Sequence, residues 1–289
     1  MPGPQEPEVL DVEYDASSGQ YQVVRPKRRI PWLHILLFVT TIFTTCLHGL
    51  SYGITIMTIL LAHEMGHYLV ARHYSVRASL PYFIPFPLGL WGTMGAVITM
   101  RQRIPNRTTL FDIGIAGPLA GLVLTIPAIL IGLHLSETQP ADQITAQSGF
   151  LGGSILFSFL SDLMTGGAGT ATDRVIILHP IALAGWFGLF VTALNLLPVS
   201  QLDGGHVLYG LLGERSRRIA MAVFAAFLAM AIIVNRFWLP FAILILLIRP
   251  SHPPTLDTAT PISRGRQILA FVAFILFIIS FSPDPLRVG

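Results

Sequence analysis

The chain has 289 residues, 53% of them hydrophobic and 11% charged, with a mean hydropathy of +0.66. Average soluble domains carry roughly 25% charged residues, so this composition excludes an ordinary soluble domain and indicates a multi-pass membrane protein. The formal charge of +3 does not argue for a nucleic-acid partner, and a lone Cys46 excludes a disulfide framework or a cysteine-based zinc site.

Residues 1–30 are polar, with five acidic residues ahead of Arg25-Pro26-Lys27-Arg28-Arg29. They are expected to form a disordered cytoplasmic tail. No Ala-x-Ala site closes the apolar run that follows, so an uncleaved first span is expected rather than a signal peptide. That span covers about residues 32–50, and a second covers about 52–72. Residues 79–100 differ in kind. Pro81, Pro85 and Pro87 interrupt any helix, and 92–99 suits a short strand pair. The segment is too irregular to cross lipid alone, so it should be a re-entrant β-hairpin shielded by protein. A third span, about 110–133, contains Gly114, Gly117 and Gly121, which let another helix approach closely. Asp112 reads as a charge near the start of that helix.

Residues 136–175 read as a loop, with one weak apolar segment near 150–160 suited to an interfacial helix. A fourth span, about 178–197, stops at Pro198. A short helix over 203–212 follows, then spans near 218–234, 237–249 and 267–282. The 237–249 run is short for a bilayer, so the expected fold is an all-α polytopic membrane protein of six or seven spans with the one hairpin. Residues 31–289 form its membrane-embedded domain. With the tail cytoplasmic, 15 of the 18 Lys and Arg residues fall on the cytoplasmic side and only Arg174, Arg236 and Arg287 on the other. That is the pattern of the positive-inside rule. The chain is then a multi-pass protein of a bilayer, the inner membrane if bacterial.

Chemistry concentrates in Ala62-His63-Glu64-Met65-Gly66-His67-Tyr68, inside the second span. Histidines four apart share one face of a helix and can grip one metal ion. Glu64 fits the general-base position of a zinc hydrolase. Three ionisable side chains at bilayer depth are costly, which makes a functional reading the default. Two histidines are one ligand short, because catalytic zinc takes three protein ligands and a water. Most acidic residues after His67 fall in loops or at span ends. Asp203 stands apart, between Pro198, which ends a span, and Gly204-Gly205, which permit a tight turn. Its carboxylate has two readings at this point, third ligand or cap of the helix that follows. His206 reads equally as a partner of a ligand or as a packed histidine. His34, His48, His134 and His179 lie near span ends and read as interfacial.

The combination resembles the site-2 protease family of intramembrane zinc metalloproteases. It is carried by His63-Glu64-Met65-Gly66-His67, by Gly117-Pro118-Leu119-Ala120-Gly121, and by Asn195-x-x-Pro198 followed by Leu202-Asp203-Gly204. The likeness covers most of residues 50–212. It implies one Zn2+ per chain held by His63, His67 and Asp203, with Glu64 as base and Asn195 contacting substrate backbone or the oxyanion. No inserted PDZ domain fits in the chain, so the compact bacterial and plastid-type members are the nearer form.

The implied activity is hydrolysis of peptide bonds in or near transmembrane segments of membrane-protein substrates. A substrate helix must unwind before attack, and the hairpin edge at Gly95, Ala96 and Val97 could accept the unwound stretch as an added strand. The competing reading is that residues 79–100 only plug the bundle. A metal-ion transporter would use intramembrane His and Asp as well, but it should spread several sites along a pore. An inactive pseudoprotease would have no use for Glu64.

Overall fold

The computed structural model describes residues 11–15, 20–24, 31–87, 91–100, 104–140, 150–167, 174–248, 255–257 and 260–287. Arg25, Lys27, Arg28, Arg29, Arg101, Arg103 and Arg249 of the expected cytoplasmic charge set lie outside them. Within the tail expected to be disordered, β1 (Asp11–Asp15) pairs antiparallel with β2 (Gln20–Val24). Val12, Tyr14, Tyr21 and Val23 are strand-favouring residue types, masked by the polar average of the segment.

Helices α1 (Trp32–Cys46) and α2 (Leu50–His73) follow the expected first two spans. Strands β3 (Tyr82–Phe86) and β4 (Gly92–Val97) then form a hairpin, with Tyr82 opposite Val97 and Phe86 opposite Gly92; only β4 falls within the 92–99 stretch expected to hold both strands, and its partner comes from the proline-bearing segment before it. The register shifts between Phe83 and Pro85, because proline cannot donate to the ladder. The hairpin is fastened at its Gly92 end. Thr44 of α1 donates its hydroxyl to Gly92 O at 2.7 Å, and the Gly92 backbone lies so close to Thr44 and Thr45 that a Cβ would not fit. Tyr52 donates to Trp91 O at 3.1 Å, while Trp91 stacks on Phe187 at 4.7 Å. Among the described residues, no third strand pairs with β4.

Helix α3 (Arg107–His134) starts where Asn106 accepts from Thr109 N at 2.8 Å, an N-cap bond that satisfies one otherwise orphaned donor. It continues through Pro118 and Pro127 and packs against α2 and two later helices, α5 (Pro180–Asn195) and α6 (Asp203–Leu212). The bundle core joins Tyr52, Ile56 and Leu60 of α2 to Leu122 and Ile129 of α3 and Trp186, Leu189 and Phe190 of α5. Gly132 meets the Ala182 backbone and Gly185 meets Ile129, so α3 and α5 touch at small residues. Lipid tails remove the usual hydrophobic drive between helices, and close contact of this kind replaces it.

The region 136–175 is less of a plain loop than its composition indicates. Besides α4 (Ile155–Thr165), it holds β5 (Glu137–Pro140), paired with β7 (Arg174–Ile177). It also holds β6 (Phe150–Leu151), paired with the C-terminal β8 (Leu286–Arg287). Strands of two to four residues leave no periodicity to read. The all-α description is thereby amended: the fold is mostly helical, with the hairpin and three further strand pairs.

After α6 a 3-10 turn, Gly213–Arg215, leads into α7 (Ser216–Ile233), and Arg236–Trp238 leads into α8 (Leu239–Ile248). The last helix is α9 (Arg264–Ser280). Among the described residues, three helical stretches are long and apolar enough to cross a membrane: Leu50–His73, Arg107–His134 and Asp203–Ile233. Trp32–Cys46, Pro180–Asn195 and Arg236–Ile248 are apolar but shorter. Ile233 and Leu247 are 81% and 75% exposed, surfaces that suit lipid rather than water.

Candidate metal centre

The middle of α2 presents His63, Glu64 and His67 inward, all buried. Asp203 is the first residue of α6, whose N-cap position is Leu202, and the helix makes no side-chain cap bond there. Asp203 thus stands one residue past the N-cap position that the capping alternative assigned to it. Gly204 and Gly205 also work differently from expectation. Neither has a positive φ. Gly204 instead presses on the carbonyls of Leu196 and Leu197, and Gly205 on those of Val199 and Ser200, where any Cβ would overlap an oxygen. This close approach seats the start of α6 on the loop after α5. Ser200 in that loop holds φ +60°, a costly conformation for a residue with a Cβ.

Three atoms converge. His63 Nε2 and His67 Nε2 lie 3.2 Å apart, and each lies 3.2 Å from Asp203 Oδ2. The triangle is close to the face of a tetrahedron around zinc, where donors at about 2.0–2.1 Å from the ion are roughly 3.3–3.4 Å from one another. Hydrogen bonding points the same way. His67 Nδ1 is 2.7 Å from Ile113 O, and a carbonyl can only accept, so Nδ1 carries the proton. In the neutral ring Nε2 then holds a lone pair aimed at Asp203. Asp203 Oδ2 is buried and has no hydrogen-bond partner, although both imidazole nitrogens are within ion-pair distance. Lone pairs facing one another in a buried site repel unless a cation lies between them. The residues fit a zinc ion.

The face of α3 opposite the triangle is cut away to admit it. A Cβ at Gly117 would overlap the His67 ring, and one at Gly121 would lie 3.3 Å from His63 Nδ1. Gly114 faces the Asp203 carbonyl and the His206 Cβ. The small-residue stripe expected to pack a helix thus admits the donors themselves, together with α6.

Glu64 and Asn195 line the same cavity, of about 170 Å³, with the three donors. Ala96, Val97, Ile98 and Met100 line it from the end of β4 and the stretch after it, and Gln201, Leu202 and His206 from the start of α6 and the loop before it. Gly95, expected at the substrate edge with Ala96 and Val97, is not among the lining residues. Asn195 ends α5 with Nδ2 3.1 Å from His63 Nε2. Asp112 is the sixth residue of α3 and pairs with Arg266 instead of acting as a helix-start charge. Sequence reasoning overlooked Ile113, whose contribution is a backbone carbonyl and leaves no side-chain signal.

A family model described as peptidase family M50 matches residues 51–236. The chain is 35% identical over 237 residues to "Probable zinc metalloprotease EGY1, chloroplastic" of Arabidopsis thaliana, covering 81% of this chain and 42% of that protein. The Oryza sativa subsp. japonica protein of the same name is 34% identical over 81% of this chain and 40% of its own length. "Probable zinc metalloprotease EGY2, chloroplastic" of Arabidopsis thaliana is 29% identical over 58% of this chain and 30% of its own. The chain spans less than half the length of these relatives.

Proposed function

From the premise that the chain belongs to peptidase family M50, the site-2 protease family it resembles, we propose that it is an intramembrane zinc metalloprotease. Its substrates are membrane proteins, cut in or near their transmembrane segments. The observation that carries the reading is the 3.2 Å triangle of His63, His67 and Asp203, with Glu64 in the same buried cavity. Among the described residues, this is the single cluster of three metal-binding side chains found, which favours one catalytic centre over a transport path.

In this reading His63, His67 and Asp203 would hold the ion through Nε2, Nε2 and Oδ2. A zinc ion held there would supply Lewis acidity toward the scissile carbonyl and would lower the pKa of a water to about 7. Glu64 accepts a proton from the attacking water and delivers it to the amine nitrogen as the C–N bond breaks. The His63 Nε2 lone pair cannot serve both an ion and the Asn195 amide. With zinc in place, that amide is free to donate to a substrate carbonyl oxygen. Burial of the cluster keeps competing water few and electrostatic interactions strong.

The free edge of β4 receives the unwound substrate at Gly95, Ala96 and Val97, giving its backbone the partners that lipid lacks. Ala96 and Val97 line the cavity, and β4 has β3 as its one strand partner among the described residues, which supports this role. Residues 31–289 form the membrane-embedded domain, preceded by the 1–30 tail. The three long apolar stretches, Trp32–Cys46, Pro180–Asn195 and α9 supply six crossings, and the short Arg236–Ile248 run would make a seventh. The 15-to-3 split of basic residues supports a cytoplasmic N-terminus and a cytoplasmic active-site side.

The test is co-expression with candidate single-span membrane proteins, comparing wild type with Glu64→Gln. Cleavage by wild type alone is expected. Cleavage of the same bond by both would remove Glu64 from its role, and cleavage by neither, across a broad substrate panel, would count against protease activity.

A further inference from the structure

We propose that Arg266 and Tyr74 are positioning residues for the metal centre: together they clamp Asp112 and so hold the turn of α3 whose Ile113 carbonyl orients His67. The proposal rests on the reading of His67 as a zinc ligand.

Arg266 lies in the first turn of α9, beyond residues 51–236 that the family model matches. Its Nε donates to Asp112 Oδ1 at 2.7 Å and its Nη2 to Asp112 Oδ2 at 2.6 Å, a two-pronged contact of fixed geometry. Tyr74, just past the end of α2, donates its hydroxyl to the same Oδ2 at 2.5 Å. One carboxylate of α3 is therefore gripped from α2 and α9 at once.

The next residue along is Ile113. Its side chain is fully buried with Ala71 of α2 and Val76, and its carbonyl lies 2.7 Å from His67 Nδ1. Helices α2 and α3 are thus joined at two levels, Tyr74 to Asp112 and His67 to Ile113. This part of α3 needs outside support. Gly114 and Gly117 weaken it, and Pro118 cannot donate to the carbonyl of Gly114 four residues back. A helix loosened in this way does not by itself hold the Ile113 oxygen steady.

The clamp side chains are 31% and 19% exposed for Arg266 and Asp112. A pair that water reaches adds little to global stability. Its geometric effect, passed to a ligand through that ligand's hydrogen-bond acceptor, is the kind that changes metal retention by about 10–100-fold.

The full chain in detergent, loaded with zinc and challenged with a chelator, gives the zinc dissociation rate. Cobalt substitution gives an absorption spectrum that reports ligand geometry, and the 15N resonance of His67 reports its tautomer. Arg266→Gln and Asp112→Asn should speed zinc loss by about tenfold or more and alter the cobalt spectrum, with an unfolding temperature near wild type. Arg266→Lys should restore part of the retention. Arg264→Gln, an exposed neighbour on α9, should change nothing. Wild-type zinc loss and cobalt spectra in folded Arg266→Gln and Asp112→Asn would overturn the clamp. Should these variants fail to fold, Tyr74→Phe, which removes one hydroxyl, carries the same two expectations. Failure of the wild-type chain to take up zinc would overturn the metal reading and this proposal together. Normal uptake with undisturbed variants would overturn the clamp alone.

Discussion

Gly117 of α3 lies flat against the imidazole of His67, so close that a Cβ at residue 117 would overlap Nε2. The contact joins two motifs that are 50 residues apart in the chain. Gly121 stands in the same relation to His63, with more room. The glycine spacing on α3 is therefore matched to the histidine spacing on α2, turn for turn.

Gly117→Ala should abolish zinc binding while leaving the helix intact. In an isolated helix the change favours folding by up to about 1 kcal/mol, so any loss must come from the His67 contact. Gly121→Ala, whose Cβ would lie 3.3 Å from His63 Nδ1, should lower zinc affinity much less. Zinc stoichiometry of the two purified variants checks the order, and equal occupancy in both would contradict it.

Asp203→Asn should lower zinc affinity by more than the roughly 10–100-fold typical of residues that only support a ligand. The change is nearly isosteric, and Asp203 is the first helical residue of α6 with Leu202 at the N-cap, so folding should survive. A titration with competing chelator measures the affinity. Full occupancy of the variant would send the search for a third ligand to His206, which lines the same cavity.

The two motifs on α2 and α6 were legible because their chemistry depends on side chains at fixed local spacing. The start of α6 at Asp203 was legible too, since Pro198 and the glycine pair bracket it. The contacts that aim these side chains were not. Ile113 acts through its backbone, and Arg107 and Arg266 reach partners 103 and 154 residues away. Gly117 was visible as a small residue, but a sequence does not say whether a gap admits a helix or an imidazole. The pairing of β6 with β8 was hidden for a related reason, with one two-residue strand drawn from mid-chain and the other from near the C-terminus.

Arg107 offers a separate handle on Asp203. Its Nε donates to Gly210 O at 3.0 Å and its Nη2 to Leu211 O at 2.6 Å, satisfying carbonyls that the C-terminal end of α6 leaves unpaired. Arg107→Ala should cost about 2–3 kcal/mol and weaken zinc binding, because Asp203 sits at the other end of the helix. Arg107→Lys can reach one carbonyl and should recover about half. Thermal unfolding and zinc affinity measured on the same preparations check both halves of the prediction.

Alkaline titration should reveal the bond between Tyr74 and Asp112. The hydrogen bond to the carboxylate, aided by partial burial, raises the Tyr74 phenol above its ordinary pKa of 10.0, against the opposing charge of Arg266. The folded chain thus holds this proton more tightly than the unfolded one. The associated stability is fully present below the unfolded pKa and is lost as pH rises through the folded one. Asp112→Asn should bring the Tyr74 transition to lower pH, read as phenolate absorbance after subtraction of Tyr74→Phe. An unmoved transition would mean that Asp112 does not set it.

Val97→Pro examines the hairpin edge. Val97 sits opposite Tyr82 at the cavity end of β4, lines the cavity and is half exposed. Proline there removes a backbone donor and disturbs strand pairing. If β4 receives unwound substrate, cleavage of an intact transmembrane helix should fall far more than cleavage of a short peptide that is already extended. Zinc content should stay at the wild-type level, because His63, His67 and Asp203 lie on α2 and α6. The hairpin is held at its other end by Thr44, Tyr52 and Trp91, so the bundle should keep its unfolding temperature. Equal losses on both substrates in a variant of normal stability would mean that residues 92–97 fill space in the bundle without handling substrate.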